Sequence, residues 1–370
     1  MAIVTNGRLE YEMSAIDVTY PDIGKVTYRG SYPLIVSNQW RPEKPPAGFT
    51  DCITFTGESS DFTLKATNKT WDGVLEYSTD HDTWTKLSGT EEMQSVDKKL
   101  YLRGKNTKFG EFSFDNPEDA RGVQWVLSAK ADCSGNIQTL LDWENLPTAI
   151  STNFCYFNMF KDCANLTSAP ELPATTLSDG CYSSMFDGCS NLTSAPDLPA
   201  TTLANGCYSM MFYRCYSLTS APELPATTLS VGCYASMFSD CTDLTSSPDL
   251  PATTLAADCY NGMFMNCYSL RSAPAVLPAT TLANRCYINM FRHCNSLTAA
   301  PELLATTLAD ECCSWMFGTC SELKVNTTSG NKIFTCPSHI PPAAIDNMFS
   351  ETGGKFVGSP IAGNTYYWTE

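Results

Sequence analysis

The sequence predicts an α/β solenoid with a 26-residue period, preceded by an all-β, sandwich-like domain. Three observations lead there. A Met-Phe pair recurs at 159/160, 185/186, 211/212, 237/238, 263/264, 290/291 and 316/317. Upstream of it, short apolar and polar alternations are separated by clusters of Gly, Asn and Asp. The composition, 43% hydrophobic and 17% charged, is that of an ordinary folded chain. A fixed period in the twenties marks a stack in which each unit is one coil, its apolar side uncovered until neighbours pile on it.

Residues 1–48 form an N-terminal arm. Lys25–Arg29 and Tyr32–Val36 read as strands, and Arg41–Gly48 is a stiff proline-rich connector. So short a segment has little core of its own, so it is expected to dock on the next domain or on a partner, or to mediate assembly, which leaves a homo-oligomer open. Residues 49–128 form the small sandwich, with strands expected at Cys52–Thr56, Phe62–Ala66, Leu75–Ser78, Lys99–Gly104 and Gly110–Phe114. Within it, Tyr77–Thr85 resembles the Asp-box hairpin of sialidases, with one residue missing and no Gly. Asp80 would tie down the turn's amides while Trp84 packs beneath. Residues 129–350 are the solenoid with its caps: an atypical first coil from Ser134, and a closing cap at Ile340–Phe349. Residues 351–370 read as a Gly-rich C-terminal tail.

In the copy from Cys181 to Leu203, Cys181, Met185 and Cys189 are spaced i, i+4, i+8 and predict one face of a short helix. Leu192–Ala195 then predicts a strand, and Pro196 and Pro199 forbid further helix. Leu192, Ala195, Leu198, Leu203, Met185 and Phe186 are expected to point inward. The spacing slips once to 27, where Ala275-Val276-Leu277-Pro278 carries an extra residue.

The motif Met-Phe-x-x-Cys-x-x-Leu-Thr-Ser-Ala-Pro-x-Leu-Pro resembles the BspA-like class of leucine-rich repeats, over roughly residues 134–349. It departs from that class in repeat length and in carrying Pro at the strand. The preceding β-domain looks like the arrangement of repeat proteins encoded by gut Bacteroidetes and their phages. That resemblance implies a virion or bacterial-surface setting and a role in adhesion, through protein or carbohydrate binding.

The residues themselves exclude several chemistries. Net charge is -16, and residues 151–370 hold eight Lys and Arg against seventeen Asp and Glu, so a phosphate-backbone partner is not expected. No stretch approaches the length of a membrane span, and the N-terminus lacks a secretory pattern, so no membrane partner is expected. Fourteen of the eighteen cysteines occupy two repeat columns, 155 to 312 and 163 to 320. They read as buried thiols, because eight residues of helix separate them by about 12 Å, beyond disulfide reach. Without a Cys-x-x-Cys pair or an accompanying His, no zinc site is expected. The acidic column Glu171, Asp197, Glu223, Asp249 and Glu302 reads as a solvated edge, with calcium bridging as the alternative. No catalytic residues or cofactor site are expected, since His81, His293 and His339 lie in unrelated contexts.

Positions after Met-Phe vary freely between copies, whereas strand positions barely vary. Unconstrained surface explains this; so does a recognition face of Tyr213, Arg214, Tyr216, Tyr268, Arg292, His293 and Trp315, residue types enriched at hot spots. The expected function is that of a non-enzymatic phage structural protein. Its arm would bind other virion proteins and its solenoid a host-surface protein or glycan. The alternatives are a bacterial cell-surface adhesin and, more remotely, an accessory to a carbohydrate-active enzyme.

Overall fold

The computed structural model describes residues 52–112 and 121–369, with the strand backbones β1 (Ile3–Thr5), β2 (Arg8–Glu10), β3 (Ile16–Tyr20) and β4 (Gly24–Tyr28). The connector at 41–48, the strand expected at 32–36 and the end of the one expected at 110–114 lie outside the described residues. Two compact units separate between Thr50 and Asp51. In the first, β1 pairs with β2 and β3 with β4, both antiparallel.

The second unit is rich in strand and contains almost no helix. Its strands begin with β5 (Ile53–Gly57), β6 (Thr63–Ala66), β7 (Val74–Ser78), β8 (Thr85–Lys86), β9 (Met93–Gln94) and β10 (Lys99–Lys105). They continue with β11 (Gly110–Glu111), β12 (Arg121–Gly122), β13 (Trp125–Leu127), β14 (Ala131–Ser134) and β15 (Leu166–Ser168). Alternation decides their faces: Leu100, Leu102 and Gly104 of β10 are buried while Tyr101 and Arg103 between them are half-exposed. A six-stranded sheet in the order β15-β14-β5-β10-β7-β8 and a three-stranded sheet β13-β6-β9 contribute to one continuous core.

The first sheet does not stop at residue 128, where the sequence suggested a domain boundary. Strand β14 pairs antiparallel with β5 and parallel with β15, so the β-region and the repeats share a backbone ladder. The atypical first coil is also built differently from expectation. Residues 131–150 supply only its extended positions, through Ala131 to Leu166, Asn136 to Glu171 and Ala149 to Thr176. Its remaining edge comes from the β-region, where Phe109 N donates to Cys155 O and Trp125 N to Met159 O.

The predicted helix after each Leu-x-x-x-Cys-Tyr does not form. Residues 181–189 are a run of turns in which amides alternate between two partners. Ser183, Met185, Asp187 and Cys189 donate three residues back, to Gly180, Tyr182, Ser184 and Phe186. Tyr182, Ser184, Phe186 and Gly188 donate to Cys207, Ser209, Met211 and Tyr213 of the following copy. Every fourth residue is left-handed: Gly180, Ser184 and Gly188 have φ of 59°, 53° and 76°. The same three positions are left-handed in each copy, as at Phe154, Asn158 and Asp162 or Asp258, Gly262 and Asn266. Such residues break an α-helix. Over nine residues the i, i+4, i+8 spacing fits a four-residue turn period without drift, whereas on an α-helix it drifts by about 80°.

Stacking aligns identical side chains. Phe160, Phe186, Phe212, Phe238, Phe264, Phe291, Phe317 and Phe349 form one column, ring centres 5.4–5.7 Å apart and planes within 8°. Tyr156, Tyr182, Tyr208, Tyr234, Tyr260 and Tyr287 form a second at 5.6–5.8 Å. Burial of each such ring is worth about 2–3 kcal/mol, and its offset contact adds roughly another 1. Extended positions add isolated parallel bridges, among them Thr176 to Thr202 and Ser246 to Ser272. The extra residue at 275–278 is absorbed by β16 (Val276–Leu277), parallel to β17 (Glu302–Leu303), and the phenylalanine column continues across it.

The far end holds an eighth turn run, with Ala343, Asn347 and Glu351 left-handed and Phe317 N bonded to Met348 O. It is covered by β18 (Lys324–Asn326), β19 (Asn331–Thr335), β20 (Gly353–Gly354) and β21 (Thr365–Thr369), in the order β19-β21-β18-β20. Residues 351–369 are therefore no tail: Tyr366 of β21 is fully buried, its ring 5.6 Å from Phe349. A strand pairing on both sides, with an aromatic aimed at the last Phe of the column, supplies the cover that a missing ninth copy would have given.

Candidate recognition surfaces

The variable positions after Met-Phe stand in registered columns on the turn face, and their backbone is not free. Arg214, His293 and Trp315 are held left-handed with φ of 59°, 64° and 56°, a conformation costing about 1–2 kcal/mol for residues other than Gly, Asn or Asp. The ladder sustains it, as with Arg214 N to Ser239 O at 3.0 Å and Trp315 N to Asp346 O at 2.9 Å.

Five of the seven expected recognition residues are engaged within the protein. Arg214 donates to Asp187 from Nη2 at 2.7 Å and from Nε at 3.1 Å, reaches Asp162 at 3.3 Å, and lies 5.2 Å from the Tyr213 ring. Lys161 reaches the other oxygen of Asp187 at 2.8 Å, so this carboxylate, 3% exposed, is clamped by cations from the copies on either side. The hydrogen bond to Asp187 raises the pKa of Arg214 above its ordinary value. Arg292 stacks on Trp315 at 4.5 Å and reaches Asn289 at 3.4 Å, while its Nε is buried without a hydrogen bond. The His293 ring nitrogen Nδ1 and the Thr319 hydroxyl are 2.7 Å apart. Tyr216 and Tyr268, by contrast, are 45% and 46% exposed in one column, with Thr242 of the intervening copy between them. The face thus carries two exposed tyrosines beside internally satisfied charges.

The extended side is more uniform. Thr193, Thr219, Thr245, Arg271 and Thr298 form one exposed column, and the Thr-Thr pairs form another. Glu171, Asp197, Glu223 and Asp249 are exposed, Glu302 is half-exposed and meets Lys332 at 3.4 Å, and no cluster suited to a metal ion occurs among the described residues. Two of these acids, Glu223 and Asp249, border an open hollow of about 510 Å³ with Pro225, Pro248 and Pro251.

All eighteen cysteines are buried and reduced. Those of the second column tie successive copies together, because the thiols of Cys189, Cys215, Cys241, Cys267, Cys294 and Cys320 donate at 3.0–3.2 Å to the Phe carbonyl of the preceding copy. A small donor is needed there, and a larger side chain would part the coils. Burial pushes the repeat thiols other than Cys312 up, to about 12 for Cys163, Cys207 and Cys259, which suppresses the reactive thiolate, whereas a hydrogen bond with Cys313 lowers the pKa of Cys312.

One cluster was missed by reading motifs alone. On the solvent face of β10, the Arg103 guanidinium lies 4.0 Å from the Trp84 ring and 4.6 Å from the Trp143 ring, with Nε donating to Glu76 at 2.8 Å. Lys105 reaches Trp143 at 5.1 Å and Glu144 at 2.6 Å, and that carboxylate raises its pKa. The alternation of Tyr101, Arg103 and Lys105 with buried Leu100, Leu102 and Gly104 placed these side chains on one face; nothing in the sequence brought the two tryptophans to them. The Asp80 turn positions Trp84: its carboxylate accepts from Asp82 N at 2.9 Å and Thr83 N at 2.8 Å, bonds that lower its pKa to about 2.

No family model, curated protein or solved structure matches this chain.

Proposed function

We propose that the protein is a recognition scaffold: a solenoid of the BspA-like leucine-rich-repeat kind, presented by the N-terminal unit on a phage particle and turned toward a host-surface protein or glycan. The observation that carries this reading is the division of labour within each copy. Inward positions hold Cys, Tyr, Met, Phe and Leu, with Cys313 in the Tyr place of one copy, and are buried or nearly so, while outward turn positions change from copy to copy. A registered rod spaces outward side chains at one strand separation, about 4.8 Å. A site can then be written by substitution at those positions without disturbing the fold.

The exposed Tyr216 and Tyr268 are the leading contacts on the repeat face, whereas Arg214, Arg292 and His293 shape it by holding neighbours in place. That residues 1–50 form a compact unit of their own favours a tethering role for it. Mass spectrometry of purified particles tests the setting, and absence of the chain rejects it. Binding of the full chain to host cells, reduced at least about fivefold by the double change Tyr216→Ala and Tyr268→Ala, tests the face; unchanged binding rejects it.

A further inference from the structure

The geometry points to a binding site for neutral carbohydrate on the β-region, formed by Trp84, Tyr101, Arg103 and Trp143 and separate from the repeat face. Surface tryptophans need a reason, because an indole left half-exposed keeps part of its apolar area in water. Here two of them, from segments 59 residues apart in sequence, converge on one guanidinium.

Their positions are fixed before any ligand arrives. Trp84 follows the Asp80 turn and precedes Thr85, which pairs with Tyr77. Trp143 sits in a turn in which Asp142 accepts from Glu144 N and Asn145 N at 2.9 and 3.1 Å, and that turn is pinned to β10 by Asn106 N donating to Leu141 O at 2.8 Å. A platform already ordered spends little further side-chain entropy on binding.

Charge selects the ligand class. Arg103 is neutralised by Glu76 and Lys105 by Glu144, and the whole chain carries a charge of -16. Phosphate, sulfate or sialic acid would therefore meet no uncompensated cation. The half-exposed indole surface that Arg103 does not cover, beside paired charges, offers stacking to the apolar face of a pyranose and hydrogen bonds to its hydroxyls. The terminal nitrogens of Arg103 carry no hydrogen bond to a described residue and supply donors, and half-exposed Thr54, opposite Tyr101 on β5, donates its hydroxyl to Cys52 O at 3.2 Å and so offers an acceptor.

The experiment is a glycan array probed with the full chain, bearing neutral hexose and pentose oligosaccharides beside sialylated and sulfated members, followed by saturation-transfer NMR on any hit. A neutral oligosaccharide is expected to bind and to lose at least about tenfold in affinity in both Trp84→Ala and Trp143→Ala, at near-unchanged melting temperature. Tyr216→Ala is expected to leave this binding intact, which separates the site from the repeat face. Binding of acidic members alone, binding of no glycan, capture of a protein only, or neutral-glycan binding that survives the double tryptophan variant each overturns the assignment. Should either alanine variant unfold, Trp143→Phe, which keeps a ring, must retain binding while Trp143→Gln loses it.

Discussion

In the stack of repeats each phenylalanine of the column meets its own equivalent in the next copy, and one mutual geometry recurs from Phe160 to Phe349. In the β-region each contact is particular: Ser134 pairs with Thr54, Arg103 with Glu76, and Trp143 is brought to Arg103 by a separate turn. The first kind of order is written many times over in the chain and tolerates variation outside the column. The second is written once, and each element depends on all the others being in place. The two meet at a shared ladder, where Gly110 and Gly122 let the β-region approach the first coil. A Cβ on Gly122 would sit on the carbonyl oxygen of Phe157.

The contrast breaks most forcefully inside the stack. Phe238→Ala removes a ring lying 5.5 and 5.6 Å from its two neighbours and is expected to cost about 3–5 kcal/mol. Chemical denaturation should also show whether the copies on either side then melt separately. Gly122→Ala attacks the junction instead and is expected to cost about 1–3 kcal/mol. In hydrogen exchange, the amides of Phe109 and Trp125 should lose protection first; equal loss along the stack would mean that the two regions unfold as one. Asp187→Asn keeps shape but removes the charge between Lys161 and Arg214, with an expected loss of about 1–3 kcal/mol. That loss should shrink when Lys161 is already changed to Met.

Alkali sharpens the comparison. The repeat thiols other than Cys312 carry raised pKa values, so their neutral, buried form stabilises the fold fully below the free-thiol value of 9.0. The contribution is lost as pH rises toward about 12, the value reached by Cys163 and Cys207. Circular dichroism across that window should report the repeats melting, and thiol reagents at neutral pH should label the native chain slowly. The smallest effect is expected at Asp80. Its lowered pKa means that the hairpin's support is present above the ordinary value of 3.8 and fades as pH falls through about 2. Amide exchange at Asp82 and Thr83 should rise there, and in Asp80→Ala at any pH, with the repeats unaffected.

Residue types read in register made the core columns legible in the chain itself, because a side chain repeated at a fixed interval must meet its own kind when the copies stack. Strands β5, β6, β7 and β10 were legible for a similar reason, alternation being a local signal, whereas the two-residue strands β8 and β9 are too short to show one. The helix was misread because Cys181, Met185 and Cys189 suit a four-residue turn as well as a helical one. The deciding hint lay in Gly180, Ser184 and Gly188, with their equivalents Asp258, Gly262 and Asn266, residue types largely suited to left-handed backbone. The closing strand Thr365–Thr369 was hidden by its Gly-rich approach and by having partners as far back as Lys324.

What the sequence determined alone was therefore the repeat, its inward residues and the acidic character of the chain, since periodicity and charge need no knowledge of distant partners. Tertiary structure alone decided that alternate amides would bridge neighbouring copies, that Arg214 would be spent on Asp187, and that Trp84 and Trp143 would close on Arg103. Each of those outcomes depends on which remote segment arrives alongside, and a linear pattern carries no record of that.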